Sequence, residues 1–189
     1  MGKHVRHMHR GEYLEPTAVA LLGQPLAFIH EDHLRERQIC TLIDGIAHGA
    51  MPETDAVSAV LCFLTIELPL HLKDEEEDLF PLLRRRCEPE DEIEKVIAKL
   101  LKDHGHADED TPQVVAILED LANEARAPKQ GEKDMLLAYA AHSRRHLILE
   151  NAIILPFARL RLTETDLETL YIRMCQRRGL KSLKDPRDA

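Results

Sequence analysis

Two stretches of the chain carry the same reactive groups at the same spacing. His71-Leu72-Lys73-Asp74-Glu75 is followed by Leu79-Phe80-Pro81, and His146-Leu147-Ile148-Leu149-Glu150 by Ile154-Leu155-Pro156. In both, the proline falls ten residues after the histidine and six after the glutamate. Each copy is preceded by an Asp-His pair, Asp32-His33 or Asp103-His104, with 38 and 42 residues from histidine to histidine. That separation suits one helix, a turn and half of the helix that returns. Two helical hairpins, each with a histidine on its first arm and His-x-x-x-Glu on its second, would aim four imidazoles and two carboxylates at a common centre. Such a set suits a pair of metal ions.

Residues four apart on a helix lie about 40° apart around its axis, so His71 and Glu75 point the same way, as do His146 and Glu150. Four neutral imidazoles and two carboxylates mix borderline and hard donors, which favours iron or manganese. Two six-coordinate ions offer about twelve positions; two bridging glutamates fill about four, the imidazoles about four and one oxo or hydroxo bridge about two. About two positions stay open for a small molecule. Taken singly these residues say less. A lone histidine on an apolar face is commonly a hydrogen-bonded core residue, and Glu75 stands in an acidic run, 74–78, of the kind that usually faces water. The repeated register decides, because burying Glu75 and Glu150 in apolar stripes without a cation would be costly.

The elements that must carry these groups read as helices. Glycine is sparse, tryptophan is absent, and Ala, Leu, Glu, Lys and Arg dominate the 189 residues, a composition that favours helix over sheet. The predicted fold is all-α, an up-and-down four-helix bundle with kinked helices and a short extra C-terminal helix. Residues 1–23 read as a loosely held arm in which His4, His7 and His9 are incidental. The bundle is placed at 24–162, and 163–189 holds the short helix and a disordered tail.

The first helix opens near Pro25 and ends around Gly45 to Gly49, with Leu26, Ile29, His33, Cys40, Ile43 and Ile46 on one face. The second runs from about Glu53 to Cys87, with Val57, Val60, Leu61, Leu64, Leu68, His71, Glu75, Leu79 and Leu82 inward, and is expected to bend at Pro69 and Pro81. Pro89 opens the third, which Thr111-Pro112 should kink or restart before its end near Arg126. The fourth spans about Glu132 to Leu160 with a bend at Pro156. Thr165-x-x-Glu168 fits a capping box for the fifth, which stops near Gly179.

A net charge of −9 argues against nucleic acid and anionic membranes as partners. The basic runs Arg84-Arg85-Arg86 and Arg177-Arg178 are short and suit helix ends. Cys40, Cys62, Cys87 and Cys175 form no Cys-x-x-Cys pair, so they suggest neither a zinc ribbon nor a disulfide framework. With no apolar leader and no apolar run of bilayer length expected, the protein reads as soluble and cytoplasmic.

Asp32-His33, His71 to Pro81, Asp103-His104 and His146 to Pro156 together resemble the hemerythrin-like, or HHE cation-binding, domains over roughly residues 24–160. That resemblance implies a four-helix bundle around a non-haem diiron centre that binds or senses dioxygen or a related small oxidant. It implies His33, His71, Glu75, His104, His146 and Glu150 as the metal ligands. Oxygen-carrying members have a further histidine four residues after the one on the third helix. Asp108 stands there in this chain, which leaves His142 and His30 as candidates for the missing imidazole; His106 should face water.

The leading reading is a protein that binds two iron ions, oxo- or hydroxo-bridged, and takes a small diatomic or peroxide ligand for sensing, storage or detoxification. A signalling role would need a protein partner, and a homo-oligomer is compatible. The second reading is a diiron oxidase, a peroxide-consuming enzyme or an iron-handling protein. Ferritin-type sites use Glu-x-x-His with more carboxylates than histidines, whereas this chain has the reverse order and balance, which favours reversible binding. The third is a metal-free helical interaction module.

Overall fold

The computed structural model describes residues 15–49 and 53–181. His4, His7, His9, Pro52 and the tail from 184 onward lie outside the described residues. Among those described there is no strand. Four long helices and a shorter fifth make up the body: α1 (Pro25–His48), α2 (Thr54–Arg86), α3 (Ile93–Glu124), α4 (residues 130–161) and α5 (Glu164–Arg177). Short 3-10 turns, Val19–Gly23 and Pro89–Asp91, precede α1 and α3.

The distribution of apolar residues along each helix sets the topology. Two separate clusters of buried side chains flank a polar middle. On α1, Leu26, Phe28 and Ile29 belong to the first cluster and Ile39 to Ala47 to the second. On α2 the order reverses, with Val57 to Leu68 in the second and Leu79 to Leu83 in the first. On α3, Ile93, Ile97 and Leu100 return to the first and Val114, Leu118 and Leu121 reach the second; α4 reverses again. This alternation is an up-down-up-down bundle. Neighbours in sequence pack as neighbours in space, and α1 closes the ring along α4. Apolar burial of this kind is worth roughly 25 cal/mol per Å², and here it comes in two layers with the histidines and glutamates of the repeat between them.

The prolines are absorbed in a specific way. Each follows a π turn, Phe63–Glu67 before Pro69, Asp74–Leu79 before Pro81 and Glu150–Ile154 before Pro156. A residue with no N–H and a bulky ring cannot sit in an unbroken α ladder, and one extra residue in the preceding turn makes room. The Phe80 N–H donates to the Glu75 carbonyl, and the Leu155 N–H to that of Glu150. The six-residue step from glutamate to proline is therefore one widened turn plus the proline, repeated in α2 and α4. Pro112 behaves differently. α3 runs through it without interruption, so the restart expected there does not occur.

Pro89 opens the short 3-10 turn rather than α3, because the Asp91 carboxylate folds back to accept from the Glu88 N–H at 2.9 Å and is also held by Arg161 at 2.7 Å. Glu92 then turns left-handed, φ 48°, before α3 begins. The cap of α5 is also shifted. Thr163, not Thr165, accepts from the Asp166 N–H at 3.2 Å, and Asp166 accepts from the Thr163 N–H at 3.0 Å. Aspartate can fill the place usually given to glutamate in this motif because its shorter side chain still reaches the cap. Helix α5 ends as expected beside Gly179, φ 68°. It contributes Leu170, Tyr171, Met174 and Cys175 to the first apolar cluster, where Leu22 of the first 3-10 turn also packs.

One helix, Thr54–Arg86, is long and apolar enough to cross a membrane by length and composition, which corrects the expectation that no run reaches that length. Its apolar face is occupied, since Val57, Val60, Leu64 and Leu68 form one wall of the second cluster.

Candidate metal centre

His33 of α1, His71 and Glu75 of α2, His104 of α3, and His146 and Glu150 of α4 meet between the two apolar clusters, all buried. Their ligand atoms fall into two groups of four, His33, His71, Glu75 and Glu150, and Glu75, His104, His146 and Glu150. The two glutamates are common to both. Glu75 lies 3.5 Å from His33 Nε2, 3.7 Å from His71 Nε2 and 3.6 Å from His104 Nε2. Glu150 lies 3.4 Å from His33 Nε2, 3.8 Å from His104 Nε2 and 2.9 Å from His146 Nε2. Every imidazole therefore presents Nε2 to the carboxylates.

The four Nδ1 atoms face the other way, toward an outer ring of acceptors that follows the repeat. Asp32 lies 3.4 Å from His71 Nδ1, and Asp103 lies 3.8 Å from His146 Nδ1. Each aspartate of an Asp-His pair thus faces the histidine on the returning helix, not the one beside it in sequence, without closing a hydrogen bond to it. The residue after each glutamate reaches across the bundle. Glu76 accepts from His104 Nδ1 at 2.6 Å, and Asn151 meets His33 Nδ1 at 3.2 Å. A hydrogen-bonded outer partner fixes the tautomer and leaves Nε2 free to bind a cation, and among the described residues His104 and His33 have one, while the Nδ1 atoms of His71 and His146 do not. Sequence reasoning did not assign these partners, although Glu76 and Asn151 share one position in the repeat.

The electrostatics of the centre show what it is suited to hold. Burial disfavours charge on His33, yet Glu75 and Glu150 outweigh it and raise its pKa. His71 and His104 are raised in the same way against their burial, and His146 is pushed up to about 9. Burial works against an ionised Glu150, but His146, His104 and His33 hold it well below the usual carboxylate range. All four oxygens of Glu75 and Glu150 are nonetheless buried without a hydrogen bond. Uncompensated charge in a dry interior costs several kcal/mol per ion. Two cations between the glutamates would satisfy these oxygens and the Nε2 atoms together, so the donor set fits metal.

The alternatives for an additional imidazole find no place in either group. His142 is half-buried, packs edge-on to His106 with ring centroids 6.0 Å apart, and borders a small cavity beside His104 and His146. His30 is half-buried on α1, while His106 and Asp108 are exposed.

A family model for the hemerythrin HHE cation-binding domain matches residues 24–158, a span that includes all six residues and all but the last few residues of the four helices that carry them. None of the curated proteins compared with the chain matches it. The repeated His-x-x-x-Glu, the helical hairpins and the shared glutamates agree with that match, and the chain belongs to the hemerythrin HHE cation-binding domain family.

Proposed function

We propose that the protein holds two iron ions side by side, one at His33 and His71 and the other at His104 and His146, with Glu75 and Glu150 bridging them, and that it binds or senses a small oxidant there. The observation that carries this reading is the sharing of both glutamates between two complete sets of donors. A single-ion site would need only one such set. Manganese or zinc would meet the same donors, but the mix of four imidazoles with two carboxylates is well suited to iron.

When bound, iron would supply reversible binding of dioxygen, nitric oxide or peroxide and one-electron chemistry. The chain supplies the rest. Glu76 and Asn151 orient the imidazoles of His104 and His33, Asp32 and Asp103 set negative charge behind those of His71 and His146, the two apolar clusters exclude bulk water, and the cavity beside His104 and His146 admits only a small molecule. Two carboxylates against four imidazoles leave little negative charge to stabilise strongly oxidised iron, which favours binding and sensing over rapid turnover.

Iron analysis of purified protein, with optical spectra under nitrogen and under air, tests this reading. Two irons per chain and oxo-bridge absorption that responds to azide are expected. Protein that stays metal-free after growth and reconstitution with iron would overturn it.

A further inference from the structure

Glu36 lies on α1 three residues beyond His33, about 60° around the helix axis from it. It is 6% exposed. Burial and the charges of the centre act on its carboxyl group, and no hydrogen bond to a described residue does; its oxygens are not wholly sealed from the cavity, whereas the His142 Nε2 beside it is buried without a partner. Together with His104 and His146 it lines a cavity of about 20 Å³ whose wall also includes Leu72, Tyr139 and the polar Asp103, His142 and Ser143. The Tyr139 hydroxyl is engaged with Thr111 at 3.1 Å. A space of this size takes a water or a ligand little larger.

Resting on the iron reading above, we propose that this cavity receives the oxidant and that Glu36 selects ligands carrying an O–H group, hydrogen peroxide or hydroperoxide, over bare anions and proton-free diatomics. A polar group without a protein partner in so small a cavity costs free energy until something pairs with it. A peroxide has both a donor and an acceptor. It pairs with Glu36 whether the carboxyl is ionised, accepting the O–H, or neutral, donating to an oxygen. The discrimination belongs to the ionised carboxylate, which repels azide and finds no donor on dioxygen or nitric oxide. The asymmetry is local, because the cavity borders the His104 and His146 half of the centre and neither His33 nor His71 lines it.

Iron-loaded wild type, Glu36→Gln and Glu36→Leu would be compared by iron content, azide titration, and the stopped-flow rate of the optical change caused by hydrogen peroxide. Iron content should be the same in all three. Glu36→Leu should bind azide about tenfold more tightly and respond to peroxide about tenfold more slowly, the size expected for one buried hydrogen bond made or lost. Glu36→Gln, of the same shape, should tighten azide binding while keeping part of the peroxide response. Azide affinity and peroxide rate both unchanged in Glu36→Leu would overturn the inference. So would loss of iron from both variants, since Glu36 would then be holding the metal or the fold. Wild type that takes up no iron would instead remove the reading on which the inference rests.

Discussion

Glu76 accepts a hydrogen bond from His104 Nδ1 at 2.6 Å, and so ties the residue after one shared glutamate to a histidine of the opposite hairpin. Asn151 does the same for His33 at 3.2 Å. The geometry is nearly two-fold, but the charge is not. A carboxylate behind His104 raises the basicity of its ring, whereas the amide behind His33 only orients it, and the Asn151 side-chain N–H is also bound to the Leu147 carbonyl at 2.8 Å. The half of the centre that borders the cavity is thus the half with the more electron-rich imidazole.

Glu76→Gln should therefore weaken metal binding by about tenfold to a hundredfold, as loss of an outer carboxylate usually does. Asn151→Ala should cost less than about tenfold, because no charge is removed. Competition with a chelator of known affinity measures both. Equal losses in the two variants would show that orientation alone, and not charge, is what the outer ring supplies.

Glu75→Gln removes one of the two shared carboxylates. Metal that binds only the folded state stabilises it by about 2.7 kcal/mol at a free concentration one hundred times Kd. The wild type should show that gain as a higher melting temperature when metal is added, and the variant should show little or none. Calorimetry of metal-free and metal-loaded samples separates the cases. The same rise in both proteins would mean that Glu75 does not hold the ions.

The six central residues were legible in the sequence because the repeat puts the same groups at the same register twice, and the helices were legible because apolar positions recur between them. What escaped depended on partners distant in sequence. Asp74 and Asp78 read as part of a solvated acidic run, yet they are buried, since Arg173, Arg177 and Arg178 come to them from about one hundred residues away. Pro69, Pro81 and Pro156 signalled disturbed helix, but periodicity alone does not distinguish a bend from a π turn. Glu36 carries no motif, and only its place beside the cavity marks it.

Acid should loosen the attachment of α5 through Asp166. Arg86 donates to this carboxylate at 2.7 and 3.1 Å, and the Thr163 N–H and hydroxyl add to the hold against the cost of burial, so its pKa falls far below the ordinary 3.8. The unfolded chain takes up the proton first. Asp166 thus contributes its full stabilisation above about pH 5 and loses it as the pH falls from near 4 toward the folded-state value. The Arg86 side chain is 40% exposed, which screens the pair and keeps the effect modest. Urea midpoints of wild type and Asp166→Asn should differ at pH 7 and draw together at pH 3. A constant gap would contradict the linkage.

Arg177 should matter to the centre without touching it. Its guanidinium reaches Asp74, Glu77 at 2.9 Å and Asp78 at 2.7 Å, all within the π turn that carries Glu75. Arg178 binds Asp74 at 2.7 Å and lies over the Phe28 ring at 4.8 Å, while Arg173 binds Asp78 at 2.7 Å. Helix α5 is in this way fastened to the segment of α2 that positions a shared glutamate. Breaking a buried ion pair outright costs about 3–5 kcal/mol, and Arg177→Ala should cost about 2–3 because Arg178 and Arg173 keep hold of the aspartates. The iron-loaded variant should also show a shifted optical spectrum, since the turn beneath Glu75 is released. Adding Asp74→Asn to Arg177→Ala should cost less than the sum of the two single losses, because the pair between them is already broken. Strictly additive losses in that double variant would show that the two side chains do not interact.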